Sequence, residues 1–222
     1  GVVIFGKTNV PAYAGDLQSY NDIYGTTNNP WNTDQTPGGS SGGAAVALAA
    51  GFSPLELGSD IGGSIRTPSA FCGVCGLKPS YGLISTRGHV PGPPGALARR
   101  DLSVAGPMAL NVGDLELALE VLAAPEREEA PAWRLELPPS RHQDLEDFRV
   151  AAWLDDPRCP VDGTLKAALD RLLADLGADV IKFEPPGGDM SRPIGRTYFY
   201  SVNFNKHSVC ANTSTPEGKR VV

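Results

Sequence analysis

The stretch from Thr36 to Ser80, TPGGSSGGAAVALAAGFSPLELGSDIGGSIRTPSAFCGVCGLKPS, decides how the chain is read. Two glycine-flanked serine clusters, Gly38-Gly39-Ser40-Ser41-Gly42-Gly43 and Gly62-Gly63-Ser64, lie on either side of one short apolar run. Glycine permits positive φ and close backbone approach, so such loops present a hydroxyl beside bare N–H groups. Ser40 and Ser64 are the candidate reactive pair. Ala44 to Ala50 is alanine-rich and stops at Gly51, which predicts a helix beginning at the Ser40/Ser41 cluster. Leu55 to Leu57 predicts a brief strand, and Pro68 to Cys75 a second compact helix.

Helix capping by Ser40 or Ser41 would account for the first cluster. It does not account for the second, which has Asp60 before it and Arg66 after it. Loops rich in N–H groups also bind phosphate, so spacing alone leaves an enzyme and a phosphate-binding protein open. Gly38-Gly39-Ser40-Ser41-Gly42 fits the G-x-S-x-G elbow of α/β-hydrolases, but that elbow follows a hydrophobic strand, and Asn28 to Pro37 is polar or turn-forming except for Trp31. A serine-histidine-acid triad would need a histidine, and His89, His142 and His207 all read as surface residues. Gly1 to Thr8 matches G-x-x-x-x-G-K-[ST], yet its four central residues read as a strand rather than a phosphate cradle.

Outward from this stretch, Val2 to Phe5 is a β-branched apolar run closed by Gly6 and predicts a buried strand. A long loop rich in Asn, Gly, Tyr and Pro follows up to Thr36. Loops of such length are either functional or carry short hidden elements, and a surface meander is the competing reading. Tyr81 to Arg100 reads as a loop with one strand-like piece, Leu83 to Ser85. Asp114 to Ala123 predicts an amphipathic helix capped by Asp114, with Leu115, Ala118, Leu119 and Leu122 on one face. Pro125 to Asp147 is charged and proline-rich. Then comes a β-α-β pattern: strand Phe148 to Leu154, helix Asp162 to Leu176 with a leucine stripe expected to be core, and strand Asp179 to Phe183. Asn203 to Val222 shows no recognisable element.

The composition, 41% hydrophobic and 20% charged, is that of a globular protein. A net charge of −6 without a Lys/Arg block argues against nucleic acid or an anionic membrane surface as a partner. No apolar run approaches the ~18 residues of a membrane span, and a cytoplasmic location is expected. Cys72, Cys75, Cys159 and Cys210 are too few for a disulfide framework. Cys72-Gly-Val-Cys75 lacks a second Cys/His pair for zinc, so buried reduced thiols are expected and no metal or other cofactor is implied.

Three segments occur together and in order: Pro37 to Gly43, Gly58-Ser-Asp-Ile-Gly-Gly-Ser-Ile-Arg66, and Phe71-Cys-Gly-Val-Cys-Gly-Leu-Lys-Pro79. With Gly6-Lys7-Thr8-Asn9 upstream and Gly106-Pro107-Met108 downstream, they resemble the amidase signature family of serine amidohydrolases over about Gly1 to Leu122. The resemblance implies a mixed α/β fold, a large twisted central sheet covered by helices, incomplete here at both ends. It also implies one domain over residues 1–222: a signature core to 124, a linker or insertion over 125–147, and the β-α-β part thereafter.

By resemblance, Ser64 matches the nucleophile. Ser40 matches the bridging serine, which follows a cis peptide bond and relays protons to a lysine. Ile61, Gly62, Gly63 and Ser64 match the oxyanion hole. Ser41, Asp60 and Arg66 read as supporting residues. The family's lysine lies in an I-K-D-like motif well upstream of Gly6, and this sequence has none; Lys7 and Lys78 do not match it. The chain alone is therefore expected to be inactive or nearly so. The implied reaction is hydrolysis of a linear amide through a Ser64 acyl-enzyme, with a small-molecule amide as partner and a homodimer left open. The alternatives are the A-type subunit of a glutamine-dependent amidotransferase and a non-catalytic, degenerate binding protein. Substrate choice would rest on the Tyr13 to Asn32 and Gly88 to Asp101 loops.

Overall fold

The computed structural model describes residues 2–89, 102–152, 160–175, 179–184 and 206–210, the last two segments as backbone alone. The chain divides into two compact units, residues 1–137 and 138–222.

In the first unit a two-stranded antiparallel ribbon, β1 (Tyr20–Asn21) and β2 (Gly25–Thr26), precedes α1 (Gly42–Ala49). Next come β3 (Leu55–Asp60), α2 (Arg66–Cys72), β4 (Cys75–Gly76), β5 (Val104–Ala109) and α3 (Val112–Leu122). The three later strands form an antiparallel sheet in the order β3-β5-β4. α1 is buried over most of its surface, from Gly42 to Leu48, which is why a run of Gly, Ala, Val and Leu forms it rather than an amphipathic pattern. Ala44, Ala45, Leu48, Ile65, Cys72 and Met108 make one core where α1, α2 and β5 meet.

β5 is the central strand, and its sequence conceals it because Pro107 cannot donate to a ladder. The register explains the tolerance. The Pro107 carbonyl accepts from the Leu77 N–H at 3.0 Å. A strand residue's nitrogen and carbonyl point to the same edge, so the missing donor faces the β4 side, where the pairing reaches only Met108.

Several boundaries differ from the sequence expectation. Val2 to Phe5 forms no strand, and Val3 and Ile4 are 85% and 84% exposed; among the described residues no strand pairs with this run, so its composition has nothing to act on. The first helix opens at Gly42, and Ser41 occupies its N-cap position without a side-chain cap bond. The second spans Arg66–Cys72 and ends on Gly73 at φ 70°. Leu83 to Ser85 supplies one bridge, Ile84 to Ala123. Asn111, not Asp114, caps α3, accepting from the Asp114 N–H at 2.9 Å. The predicted face is otherwise correct: Leu115 and Ala118 are buried, and Leu119 and Leu122 half-buried.

The long loop before Thr36 is a brace. Asn29 Nδ2 donates to the Phe71 carbonyl at 2.9 Å and to the Thr36 carbonyl at 3.3 Å, and Trp31 Nε1 donates to the Cys72 carbonyl at 2.8 Å. The bonds to Phe71 and Cys72 satisfy carbonyls that the C-terminus of α2 leaves unpaired.

The second unit contains β6 (Arg149–Ala152), α4 (Gly163–Asp175), β7 (Asp179–Glu184) and β8 (Lys206–Cys210), with the strands parallel in the order β6-β7-β8. The β-α-β pattern is as expected, with Trp153, Leu154 and Leu176 outside the described residues. β8 arises where the sequence suggested no element; a five-residue polar-apolar strand gives little periodic signal until β7 pairs with it. The leucine stripe is not all core. Leu165 and Leu172 are exposed, whereas Asp170 is buried and Leu173 packs toward Ala152. Asp162 accepts from the Thr164 and Leu165 N–H groups and so caps α4.

Asn29→Ala should lower the stability of the first unit by about 1 to 3 kcal/mol, because it strands two carbonyls in a part-buried site. Urea denaturation followed by tryptophan fluorescence measures this.

Candidate active site

β3 runs straight into the second serine cluster, ending at Asp60, whose side chain is fully buried. A carboxylate removed from water must gather donors. Asp60 Oδ1 accepts from the Gly63 N–H at 2.9 Å and from Arg66 Nη2 at 3.0 Å. Oδ2 accepts from the Ile65 and Arg66 N–H groups at 3.1 and 3.3 Å and from Arg66 Nε at 3.1 Å. One carboxylate thus folds the segment 61–66 around itself. Burial alone would raise its pKa, but the Arg66 guanidinium and the three backbone donors outweigh that and hold it down at about 2, against 3.8 ordinarily.

Gly63 takes φ 122°, and a Cβ there would sit 2.8 Å from Thr67 Oγ1. Glycine is therefore required on both backbone and steric grounds. Gly62 and Ile61 are exposed, while Ser64, just before α2, is buried with 9% of its surface exposed. Of the four N–H groups in Ile61 to Ser64, the Gly63 one is committed to Asp60.

The first cluster lies against the second. The Ser41 N–H donates to the Ser64 carbonyl at 3.1 Å. Ser41 Oγ lies 3.3 Å from the Ser59 nitrogen, whose N–H donates to it, and 3.5 Å from the Ser59 carbonyl. Ser41 therefore fastens the loop to β3 rather than capping α1. Ser40 is 2% exposed, and the Gly39–Ser40 peptide bond is cis.

The role of helix cap falls to a residue that sequence reasoning misses. Ser19 Oγ accepts from the Gly42 N–H at 3.0 Å. It is a lone serine in a polar loop 23 positions earlier, and no local pattern marks it.

Other candidates are set apart. Lys7 is exposed, and Lys78 Nζ donates to the Leu102 carbonyl at 3.2 Å. Burial pushes the Cys72 thiol up to about 11, and its Sγ contacts the Pro37 carbonyl, so it remains a protonated core residue. Among the described residues no group of three or more His, Cys, Asp and Glu side chains is placed to hold a metal ion, and no helix is long and apolar enough to cross a membrane. His142 packs edge-on against Phe148, and the His89 N–H donates to the Thr86 carbonyl. The Gly88 to Asp101 loop lies outside the described residues beyond His89.

The family model described as Amidase matches residues 1–216. The chain belongs to the amidase family. It is 40% identical over 176 residues to the A-type subunit of the glutamyl-tRNA(Gln) amidotransferase of Saccharolobus solfataricus, an alignment covering 78% of this chain and 36% of that relative. Among solved structures, a bacterial aryl acylamidase of the amidase signature enzymes matches with a TM-score of 0.67 at 31% identity, covering 80% of this chain and 36% of that one. The corresponding A-type glutamyl-tRNA(Gln) amidotransferase subunit of Thermotoga maritima matches with a TM-score of 0.65 at 28% identity, covering 81% and 40%. The mixed α/β fold class is thus that of the amidase signature structures, although the described strands form separate small sheets rather than one large sheet. The chain spans between 24% and 39% of the length of eight of the curated relatives it matches.

Because the folded-state pKa of Asp60 lies below its unfolded value, its contribution to stability is complete above the unfolded pKa and is lost as pH falls toward 2. Unfolding free energies measured from pH 5 down to pH 2 should fall along this limb. Asp60→Asn should be less stable at pH 7 and should flatten that part of the acid dependence.

Proposed function

We propose that this chain forms the serine-bearing part of an amide hydrolase in which Ser64 is the nucleophile and Ser40 the proton relay. The observation that carries the reading is the Ser41 N–H to Ser64 carbonyl bond, which seats both serine loops together in a buried site of an amidase-family chain.

A serine hydroxyl attacks an amide only as its proton leaves. In this reading the Ser64 proton passes through Ser40 Oγ to the lysine that the family resemblance implies, as Ser64 Oγ bonds to the amide carbon. Neither Lys7 nor Lys78 is assigned that role. The carbonyl oxygen becomes an oxyanion facing the N–H groups of Ile61, Gly62 and Ser64. Gly63 serves that hole by shaping its backbone, since its own N–H is held by Asp60. Fixed donors of this kind contribute about 3 kcal/mol each to the transition state. The intermediate collapses as the C–N bond breaks and the amine leaves with the relayed proton. Water then attacks the acyl ester, releasing the carboxylic acid and restoring the Ser64 hydroxyl. Asp60 and Arg66 support the site by fixing the 61–66 turn, and Ser41 by fixing the relay loop to β3.

A second reading, the A-type subunit of a glutamine-dependent amidotransferase, is favoured by the names of its relatives. It uses the same serines, with glutamine as the amide and ammonia passed on instead of discarded.

The full-length gene product that carries this chain should hydrolyse at least one of propionamide, 4-nitroacetanilide and glutamine. Ser64→Ala should abolish that turnover, and Ser40→Ala should lower kcat by about 100-fold or more. Full activity in either variant refutes the assignment. Turnover of glutamine alone selects the amidotransferase reading, and turnover of none of the three selects a non-catalytic protein.

A further inference from the structure

The glycine pattern of the first serine cluster has a second cause besides exposed N–H groups. A Cβ at Gly39 would lie 2.6 Å from the Asp16 carbonyl oxygen and 2.8 Å from the Leu17 carbonyl carbon. One at Gly42 would collide with Ser19 Oγ, and one at Gly43 with the Asn9 backbone. Asn9 and the segment from Asp16 to Ser19 therefore lie flush against the stretch that carries Ser40.

Ser19 makes the side-chain contacts to this stretch, and the Asn9 carbonyl adds a backbone one. The Ser19 side chain is fully buried, with Oγ 3.3 Å from the Gly38 carbonyl, 3.2 Å from the Ser40 carbonyl and 3.0 Å from the Gly42 nitrogen. A hydroxyl has one proton and two lone pairs. It donates to one of the two carbonyls at a time and accepts from the Gly42 N–H. These three groups bracket Ser40 on both sides, so Ser19 holds the backbone of the loop through bonds that do not use the Ser40 hydroxyl.

Ser19 is itself held. Its carbonyl accepts from the Thr27 N–H at 2.9 Å, and Gln18 Nε2 donates to the Thr27 carbonyl at 2.9 Å. Asn9 Nδ2 donates to Thr27 Oγ1 at 2.9 Å, and the Asn9 carbonyl accepts from the Gly43 N–H at 3.2 Å. A packing role alone would be met by alanine. A hydroxyl shared among three backbone groups is chemistry that alanine does not supply.

We propose that Ser19 is a positioning residue for Ser40, aiming the proton relay at Ser64 through its bonds to Gly38, Ser40 and Gly42. The inference rests on the amide-hydrolase reading. It adds to that reading a residue from a distant part of the sequence that touches no reacting atom.

The test is phosphonylation of Ser64 by a fluorophosphonate probe in the full-length gene product, with rate and apparent affinity resolved separately. Ser19→Ala should lower the limiting labelling rate by about 10- to 100-fold with the affinity for the probe unchanged, the cost of misaligning a reacting group. Amide hydrogen exchange should quicken at Gly42 while α3 exchanges as in the parent. If the alanine variant does not fold, Ser19→Cys keeps a side chain of the same connectivity, slightly larger, weakens the hydrogen bonds and is expected to behave in the same way. Labelling at the parental rate overturns the proposal, as does a slower rate with Gly42 exchange unaltered. Absence of labelling in the parent, or labelling that survives Ser64→Ala, refutes the hydrolase reading instead, so the two failures are distinct.

Discussion

A buried carboxylate that must find donors is the constraint on which the site depends. Asp60 ends β3 inside the protein, and no water is needed to satisfy it because the next six residues turn back to do so. Arg66 completes the set from a side chain that is 56% exposed at its own end. The arrangement converts the desolvation cost of one charge into a fixed path for the backbone from Ile61 to Arg66. Ser64 takes its place on that path, and α2 begins where the path ends.

A second constraint is that the Ser40 loop has close neighbours on several sides. Pro68 lies against Gly38, the Asp16 to Ser19 segment against Gly39 and Gly42, and Asn9 against Gly43. Ser41 ties the loop to Ser64 and to Ser59. Helix α1, made of small residues and buried nearly throughout, fixes the far end. Asn29 and Trp31 meanwhile hold the last carbonyls of α2. One long, irregular segment therefore braces both serine loops, which is how a stretch without regular structure can carry rigid function.

Much of this was legible in the residues. The serine clusters, the positions of α1, α2 and α3, and the β-α-β unit follow from glycine stops and apolar periodicity, because those signals are local. The expectations that failed were non-local. Val2 to Phe5 has strand composition, but strand formation requires a partner. Pro107 hid β5 because its tolerance depends on where β4 ends. The leucine stripe of α4 did not reveal which face would be covered, and the buried Asp170 lies on that covered face.

The sequence by itself determined the family, through three motifs in order, and the identity of the serines on which the proposed chemistry rests. Their residue types and spacing are properties of a single stretch of chain. Only the tertiary structure decided how the motifs are held: that Gly63 gives its N–H to Asp60, that Ser41 is a tie rather than a cap, and that Ser19 sits under the Ser40 loop. The physical reason is that one hydroxyl or one N–H has only a few bonds to give. Which partner receives them depends on contacts between residues as far apart as Ser19 and Gly42, a proximity that local sequence does not encode.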